Sequence, residues 1–559
     1  MGRQYAVIAL ICGAFLLIVL RLFYWQIIKG AALAQAAAEQ YYFTLKLTPQ
    51  RGSILASDGQ ALVANRGGYF AYAEPKKIAA KHDFALRVAP LINLDPAVIE
   101  ERITKENIVW APLKHKISSE IQQKITDAHL NGVGFEKEGA RFYPEASIAA
   151  NLLGFVGSDE NGDDKGYFGL EGFYNLALEG KPGSLLQEKD AGGLPILLGT
   201  VKRIEAEDGQ SLELYLDRTV QTIVEEKLKA GLVKYGAREG LVAVMDPKTG
   251  GILASAAFPS YDPNHFGDFD QLLYPNPLIA KAYEPGSTFK TMVMAAALNE
   301  RLVDPKTVFN EDGPVKVGDY TIRTWNNQYH GEMTATQILE KSSNPGMVFV
   351  GKKLGKDKLL RYIKAFGFGE ETGIDLEEEE ASPLRADDTW KEIDLATASF
   401  GQGIAVTPIQ MLSGVAAIAN GGKLMQPHLV SKLQDATHDT VVDIKPKIIR
   451  EVIRPGTAKV MTDMMISAVD NGEAKWAKPP GYRIAGKTGT AQIPVAGHYD
   501  DKKTIASFVG FAPADDPKFA ILVLLREPTS SPWGSETAAP LFFSIAKELF
   551  NYYGISPLN

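Results

Sequence analysis

"GLVAVMDPKTGGILASAAF", Gly240–Phe258, contains two short apolar runs separated by a polar turn. The runs, Leu241–Met245 and Ile252–Ala256, have the length of buried strands. The Asp246–Gly251 segment between them combines an Asp-Pro pair with a Gly-Gly pair, and both pairs are typical of tight turns. The stretch therefore predicts a β-hairpin that belongs to an antiparallel sheet.

The strands that complete this sheet are predicted far along the chain. "TIASFVGFAPADDPKFAILVLLRE", Thr504–Glu527, predicts a second strand pair around a Pro/Asp turn, and an amphipathic helix follows over Ala538–Tyr552. Leu212–Leu216 alternates like a strand, and Asp217 is placed to cap the next helix. Strands from both ends, with apolar helices between them, predict an α+β domain over residues 212–559, an antiparallel sheet flanked by helices.

Length and composition restrict the class of protein. A chain of 559 residues is too long for one core, so we expect a multi-domain protein. The net charge of -8 and the lack of a Lys/Arg block argue against a nucleic-acid binder. Cys12 is the one cysteine, and the eight histidines are scattered without a zinc motif. We therefore predict no intramolecular disulfide, no metal site and no cofactor.

The N-terminal region is strongly apolar. Ala6–Leu20, "AVIALICGAFLLIVL", can span a bilayer if the apolar stretch after it is included. Two interpretations compete, a signal peptide cleaved after Ala34 and an uncleaved signal anchor. The long gap to Ala34 and the aromatic Phe23-Tyr24-Trp25 favour the anchor. We predict a cytoplasmic tip and single-pass anchor over residues 1–30, an elongated mixed pedestal and head module over 31–211, and a periplasmic or other extracytoplasmic location for the bulk of the chain.

"YEPGSTFKTMVMAAAL", Tyr283–Leu298, is the first candidate site motif. Pro285-Gly286 before a helix-prone run places Ser287 in the first turn of a helix, where its backbone N–H is free to bind an oxyanion. Lys290 lies one turn further on the same face. If burial and a second lysine favour its neutral amine, Lys290 can act as a base for Ser287. S-x-x-K also occurs by chance at ordinary helix starts.

Two further motifs carry polar side chains in the same domain. "LEKSSNPGM" places Ser342 and Asn344 on a tight turn, although Ser and Asn often only cap helices there. "YRIAGKTGTAQI" alternates like a strand that has Gly489 at its centre. Its Lys487 supplies a positive charge and its Thr488 a hydroxyl, and its free N–H groups can pair with an extended peptide. An exposed turn is the structural alternative for Lys-Thr-Gly-Thr.

Together the three motifs, in this order in one predicted domain, resemble the active-site boxes of the penicillin-recognising serine transferases and hydrolases. The chain more closely resembles the class B penicillin-binding proteins, monofunctional peptidoglycan D,D-transpeptidases whose transpeptidase domain is similar to the serine β-lactamases. The resemblance extends to the N-terminal anchor, to "RGSILASDG" at Arg51–Gly59 and to "ATASFGQGIAVTPIQM" at Ala396–Met411. No glycosyltransferase-sized region precedes the head module, so we expect the monofunctional class.

The resemblance implies a catalytic role for three of these residues. Ser287 is expected to attack the penultimate D-Ala of a stem peptide, forming an acyl-enzyme and releasing the terminal D-Ala. Lys290 is expected to act as the general base. Ser342 is expected to relay the proton to the leaving amine.

The resemblance also implies a binding role for the remaining motif residues. Asn344 is expected to hold the substrate amide, while Lys487 and Thr488, followed by Gly489, orient the terminal carboxylate. The backbone N–H groups of Ser287 and Thr490 are expected to form the oxyanion hole. β-Lactam antibiotics are then expected to acylate Ser287 and to leave slowly.

The partners implied by the resemblance are peptidoglycan stem peptides on lipid-linked nascent glycan, a SEDS-type glycosyltransferase, and other membrane proteins of the divisome or elongasome. The Ser-Ser-Asn box and "SFVGFAPADDP" favour the division-type branch over the side-wall branch. Competing hypotheses are a β-lactamase or carboxypeptidase, which need neither anchor nor head module, and a catalytically idle scaffold, which intact boxes argue against. A nucleophile-elbow esterase is disfavoured because the chain has no G-x-S-x-G.

Overall fold

The part of the chain that the computed structural model describes comprises residues 2–105, 108, 110–146, 148–160, 162–188, 201–435, 437, 441–495 and 498–558. It forms two compact units. The first consists of Met1–Arg51 and Glu179–Gly209, and the second of Gly52–Leu178 and Gln210–Asn559. The domain boundaries placed after residues 30 and 211 from the sequence stay a prediction.

Helices and strands are mixed along the whole chain, which confirms the predicted α+β class. The α-helices are α1 (Gly2–Phe23), α2 (Gly30–Tyr41), α3 (Lys81–Ile92), α4 (Pro96–Thr104), α5 (Ser119–Asp127), α6 (Ala150–Leu153), α7 (Gly169–Phe173), α8 (Asn175–Glu179), α9 (Arg218–Tyr235), α10 (Pro277–Ala280), α11 (Lys290–Asn299), α12 (Ala335–Glu340), α13 (Asn344–Leu354), α14 (Lys356–Ala365), α15 (Glu392–Ala398), α16 (Pro408–Ala419), α17 (Pro455–Asp470) and α18 (Ala538–Tyr552).

The β-strands are β1 (Tyr42–Leu47), β2 (Ile54–Leu55), β3 (Ala61–Ala73), β4 (Ala111–Ile117), β5 (Val133–Phe142), β6 (Phe155–Ser158), β7 (Asp164–Tyr167), β8 (Gly183–Glu188), β9 (Val201–Ile204), β10 (Ser211–Leu214), β11 (Glu239–Met245), β12 (Ile252–Phe258), β13 (Val308–Glu311), β14 (Val315–Val317), β15 (Tyr320–Ile322), β16 (Gly331–Thr334), β17 (Lys423–Met425), β18 (Val430–Gln434), β19 (Val441–Asp443), β20 (Ile448–Glu451), β21 (Ala485–Val495), β22 (His498–Ala512) and β23 (Phe519–Arg526).

The first unit begins with an apolar helical span. Helix α1 continues as a π-helical turn, Tyr24–Ile28, so that the span covers Gly2–Ile28 over 27 residues. About 20 apolar residues are enough to cross a bilayer, so this length fits a single-pass membrane anchor. Its side chains are exposed to the surroundings of the protein, as expected for a span that lipid covers. Helix α2 follows, and strands β1, β8 and β9 then form an antiparallel three-stranded sheet.

The second unit is built around a five-stranded antiparallel sheet with the order β12-β11-β23-β22-β21. The hairpin β11-β12 and the late strands β22 and β23 therefore meet in one sheet, as the sequence predicts. In β23, Ala520, Leu522 and Leu524 face one core, whereas the alternate residues Ile521 and Val523 face the other. A strand with period-two side chains that are apolar on both faces needs helices on both sides.

Helices cover both faces of this sheet. Helices α9 and α18 pack on one face, and α16 packs on the other face beside α11 and α17. The predicted cap of α9 is confirmed, because the Asp217 carboxylate accepts hydrogen bonds from the backbone N–H groups of Thr219 and Val220 at 2.9 and 3.1 Å. Helix α11 is buried from Lys290 to Leu298 on all sides, as a helix in the middle of a large core is expected to be.

A second sheet of the same unit has the order β19-β18-β10-β2-β3-β4, and β5 also pairs with β3. The start of the long strand β3 pairs with β2, and the remainder of β3 pairs with β4 and β5. Helices α3, α4 and α5 form a separate small core with β3, β4 and β5. Strand β3 therefore runs without a break from its pairing with β2 into this small core, which we call the head.

A close backbone approach fixes the segment in front of α11. The backbone N–H of Gly286 donates a hydrogen bond to the Gly401 carbonyl at 3.0 Å. Gly401 has a φ of 82°, and a methyl group added to it would lie 2.1 Å from the Gly286 carbonyl oxygen. Only glycine fits both the conformation and the space at this position.

We expect Gly401→Ala to lower the free energy of unfolding by about 3 kcal/mol, because the methyl group adds a backbone clash to left-handed strain. The control is Gly421→Ala, at a φ of 66° with nothing within 4 Å of the added methyl group. That variant carries the conformational strain alone, about 1 kcal/mol. Thermal unfolding midpoints of the two full-length variants measure the difference, and equal midpoints would show that the contact with Gly286 does not constrain the fold.

Candidate active site

The side chain of Lys290 is the centre of a buried hydrogen-bonded group. Its ammonium donates to the Ser342 carbonyl oxygen at 2.6 Å and to Asn344 Oδ1 at 2.8 Å. Ser342 Oγ lies 3.3 Å from the same nitrogen. Lys290 is fully buried, so these acceptors replace the water that a charged amine would otherwise bind. The structure thus brings together three residues that the sequence motifs single out.

The turn between α12 and α13 presents Ser342 and Asn344 to Lys290. Ser342 takes a left-handed φ of 53°, which is uncommon for a residue with a side chain. Ser343 then caps α13, since its hydroxyl oxygen accepts a hydrogen bond from Gly346 N–H at 2.8 Å. The amide nitrogen of Asn344 donates to the Arg323 carbonyl at 3.0 Å, which directs its oxygen toward Lys290. The predicted tight turn is present, and Asn344 is the first residue of α13.

Ser287 lies just before α11, within the 3₁₀ turn Gly286–Phe289. The sequence places it in the first turn of a helix, and the structure shows that this turn is 3₁₀ and that α-helix begins at Lys290. In a 3₁₀ turn, residues three apart lie directly above one another, so Ser287 and Lys290 share one face. Ser287 is partly exposed, whereas Gly286 and Thr288 are buried. Ser287 is therefore reached by solvent while its neighbours in the turn are packed in the core.

Strand β21 contributes the Lys-Thr-Gly-Thr motif, and the prediction of a strand there is confirmed. Lys487 is buried, and its ammonium donates to Thr488 through the carbonyl and hydroxyl oxygens, each at 3.1 Å. The strand β21 is terminal in its sheet and packs against the 3₁₀ turn of Ser287. A methyl group added to Gly489 would lie 2.4 Å from Ser507 Oγ and 2.8 Å from Thr288 Cγ2. Glycine at 489 therefore permits the close approach of the turn to the strand.

The Thr490 end of the motif is fixed from a different segment. Its hydroxyl oxygen accepts a hydrogen bond from Gly534 N–H at 3.0 Å. A methyl group on Gly534 would lie 2.2 Å from the Gly489 carbonyl oxygen, so this loop also lies directly on the strand. The Gly534 contact thus restricts the strand at the two residues that follow Thr488.

This site contains two buried lysines, Lys290 and Lys487. Burial lowers the pKa of Lys290 well below its usual value, and the positive charge of Lys487 lowers it further, while Glu473 and Glu311 act in the opposite direction. Burial also lowers the pKa of Lys487 to about 8, against a raising effect of Glu473. Burial and the Lys487 charge both ease the loss of the Lys290 proton relative to an exposed lysine, which is the direction that a general base requires.

Sequence reasoning missed several residues of this arrangement. Glu311 and Glu473 influence the lysines, and neither belongs to a recognisable motif. Gly401 and Gly534 carry the close approaches, and only Gly401 lies in a stretch that the family resemblance includes. The positive φ of Ser342 has no signal in the sequence, because serine is not a residue that such a conformation favours.

Comparisons with known proteins identify the family of this chain. Residues 240–549 match the family described as the penicillin binding protein transpeptidase domain, and residues 46–214 match the penicillin-binding protein dimerisation domain. Stage V sporulation protein D of Bacillus subtilis is 35% identical over 97% of this chain and 84% of its own length. The peptidoglycan D,D-transpeptidase FtsI homolog of Mesostigma viride is 30% identical over 96% of this chain and 93% of its own.

A solved structure gives the same answer for the fold. Penicillin binding protein 3 of Mycobacterium tuberculosis, crystallised in complex with aztreonam, superposes with a TM-score of 0.71 at 26% identity. The match covers 92% of this chain and 98% of the solved chain. A family match over more than half of the chain, relatives along nearly all of it and a shared fold lead to one conclusion: the chain belongs to the penicillin-binding proteins and carries their transpeptidase domain.

Proposed function

We propose that this protein cross-links peptidoglycan stem peptides through an acyl-enzyme on Ser287. Family membership makes it a serine-type peptidoglycan D,D-transpeptidase, and the proposal assigns that reaction to named residues. The observation that carries the assignment is the buried Lys290 ammonium, which follows Ser287 by one turn and binds Ser342 and Asn344. A nucleophile, a base and a relay hydroxyl thereby share one site.

In the acylation step, the neutral amine of Lys290 takes the proton of the Ser287 hydroxyl. The Ser287 oxygen then attacks the carbonyl carbon of the penultimate D-Ala, and the carbonyl oxygen becomes an oxyanion. The backbone N–H groups of Ser287 and Thr490 stabilise that charge. As the peptide bond breaks, the proton passes through Ser342 to the leaving amine, and the terminal D-Ala departs.

In the second step, the amine of a neighbouring stem peptide attacks the ester carbonyl of the acyl-enzyme. The amine loses a proton, a new peptide bond forms, and the Ser287 oxygen leaves with a proton returned by way of Lys290. The overall reaction exchanges one peptide bond for another. No oxidant, reductant or metal ion enters this balance.

The substrate carboxylate is recognised by a positive charge and hydroxyl groups. Lys487 and Thr488 orient the terminal carboxylate, and the outer edge of β21, the terminal strand of its sheet, pairs with the extended stem peptide. The Asn344 amide, already held by Arg323, contacts the peptide from the opposite side. β-Lactams imitate this substrate and acylate Ser287, and the aztreonam complex of the mycobacterial relative supports their binding here.

The anchor suggests where the reaction takes place. The span Gly2–Ile28 holds the chain in the cytoplasmic membrane by a single pass, and the remaining residues lie on the extracytoplasmic side, where peptidoglycan is found. Nascent lipid-linked glycan from a SEDS-type glycosyltransferase supplies the stem peptides. The Ser-Ser-Asn box and "SFVGFAPADDP" favour a role in septal rather than side-wall synthesis. The partner membrane proteins then belong to the divisome.

Treatment with a fluorescent penicillin is expected to label wild-type protein on the peptide that contains Ser287, and Ser287→Ala is expected to abolish this label completely. Ser530→Ala is the control, because Ser530 is an exposed serine outside the motifs. Mass spectrometry of the digested full-length protein identifies the modified residue. An adduct on another serine would contradict the proposed nucleophile.

Replacement of Lys290 with arginine is expected to reduce the rate of penicillin acylation by about 10²–10⁴-fold, since a guanidinium does not give up its proton. The control is Lys341→Arg at an exposed neighbouring lysine, which is expected to leave the rate unchanged. In wild-type protein, the acylation rate should rise with pH and reach its plateau well below the usual pKa of lysine, because the pKa of Lys290 is lowered. Stopped-flow or gel-based acylation rates across pH measure both effects.

Binding of the stem-peptide carboxylate is expected to weaken as the pH rises above about 8, because the pKa of Lys487 is lowered to about 8 and its charge is then lost. The measurement is the KM for a D-Ala-D-Ala peptide as a function of pH. Lys487→Arg keeps its charge throughout this range and should remove the alkaline rise in KM. An identical rise in the variant would exclude Lys487 as the carboxylate partner.

A further inference from the structure

Behind the site lies a buried carboxylate that the reaction steps above do not use. Glu311, the last residue of β13, is almost completely inaccessible to solvent. Both of its oxygens have partners: Ser343 Oγ donates to Oε1, while the His330 backbone N–H lies 3.2 Å from Oε2 and His330 Nδ1 lies 3.0 Å from it. Without these hydrogen bonds the carboxylate would be a buried charge with no partners, which is energetically costly.

The contact with Ser343 joins Glu311 to the turn that carries the site. A serine hydroxyl has one proton to donate, and a carboxylate is an acceptor only. Donation to Glu311 therefore turns the lone pairs of the Ser343 oxygen toward Gly346 N–H, which donates to it at 2.8 Å. The rotamer of Ser343, and with it the start of α13, is set by Glu311.

Ser343 stands between the two residues that bind the Lys290 ammonium. Ser342 on one side adopts a left-handed conformation, which persists only where the surroundings hold it in place. Asn344 on the other side begins α13. The turn contains the strained Ser342 and is capped by the Ser343 hydroxyl, so its conformation depends on the contact that orients this hydroxyl.

We propose that Glu311 is a positioning residue for transpeptidation: through Ser343 it fixes the turn that presents Ser342 and Asn344 to Lys290. This inference rests on the proposed function, since it assumes that Lys290 and Ser342 act on Ser287. Glu311 does not touch the substrate in this role. It acts by keeping the acceptors of the Lys290 amine in place.

The charge of Glu311 gives a readout that a purely structural residue would lack. The charged groups that face Lys290 are Lys487 from β21, Glu473 from the turn after α17, and Glu311 from β13. Glu311 raises the pKa of Lys290, opposite to the effects of burial and of Lys487. Loss of the Glu311 charge therefore lowers the pKa of Lys290 further and moves the rising limb of the acylation rate against pH to lower pH. His330 is the titratable group in direct contact with the altered side chain.

The test measures the second-order rate constant for acylation of full-length protein by a fluorescent penicillin. Glu311→Ala removes the acceptor of Ser343 and is expected to lower the rate by about 10-fold to 100-fold, as small misplacements in an active site do. Glu311→Gln keeps an oxygen for Ser343 and is expected to restore most of the rate. In both variants the rising limb of the pH profile should move to lower pH. The control is Glu332→Ala, at an exposed glutamate of the paired strand β16.

A second variant separates positioning from loss of folding. Ser343→Ala removes the hydroxyl through which Glu311 acts, so it is expected to reduce the rate by a similar factor. The double variant Glu311→Ala/Ser343→Ala should then be no slower than the slower single variant, because both changes break one connection. Thermal unfolding of each variant shows whether it is folded under the conditions of the assay.

Two outcomes would overturn the inference. One is an acylation rate and pH profile for Glu311→Ala that match those of Glu332→Ala. The other is a fully additive loss in the double variant. Wild-type protein serves to distinguish this failure from failure of the proposed function: if Ser287 of the wild type is labelled normally, only the role of Glu311 is wrong, whereas an unlabelled wild type contradicts the function itself.

Discussion

The site is organised by the burial of one ammonium group, that of Lys290. A charged amine inside a protein is costly unless polar groups replace its water, and here a carbonyl, a hydroxyl and an amide oxygen do so. All three acceptors are neutral. The carboxylates of Glu473 and Glu311 are not among them, and each raises the pKa of the amine through its charge. The amine is therefore held firmly while burial and Lys487 lower its pKa, and this combination suits the general-base role that we propose for Lys290.

Glycine residues let the supporting segments come together. Gly401 is in close contact with the backbone of Gly286, and Gly534 with the backbone of Gly489. The turn that contains Ser287 and strand β21 are therefore each packed directly against another backbone segment. Side chains at these positions would separate the segments. Because protein interiors are close-packed, these contacts fix the position of the Ser287 turn relative to the sheet and to α11. Ser287 and Ser342 lie on short turns, and Lys290 lies at the start of the helix that follows the first of these turns.

The fold was largely predictable because its signals are local. The hairpin β11-β12, the later pair β22-β23, the Asp217 cap and the final helix α18 each follow from patterns within a few residues. Strand β23 is a continuous apolar run after a Pro/Asp turn, the pattern expected of a strand with both faces buried. The head was harder to predict, since β3 pairs with several strands along its length and its sequence has no distinct motif for this.

For the site, the sequence by itself determined which residues we assign to the chemistry: Ser287, Lys290, Ser342, Asn344 and the strand from Lys487 to Thr490 stand in an order that chance seldom produces. Only the tertiary structure decided how the basicity of Lys290 is set. Burial, the approach of Lys487 and the carboxylates of Glu311 and Glu473 come from segments far apart in the chain. The physical reason is that motif residues are recognised by their spacing, whereas a pKa depends on everything packed around the group, and that packing exists only once the chain has folded.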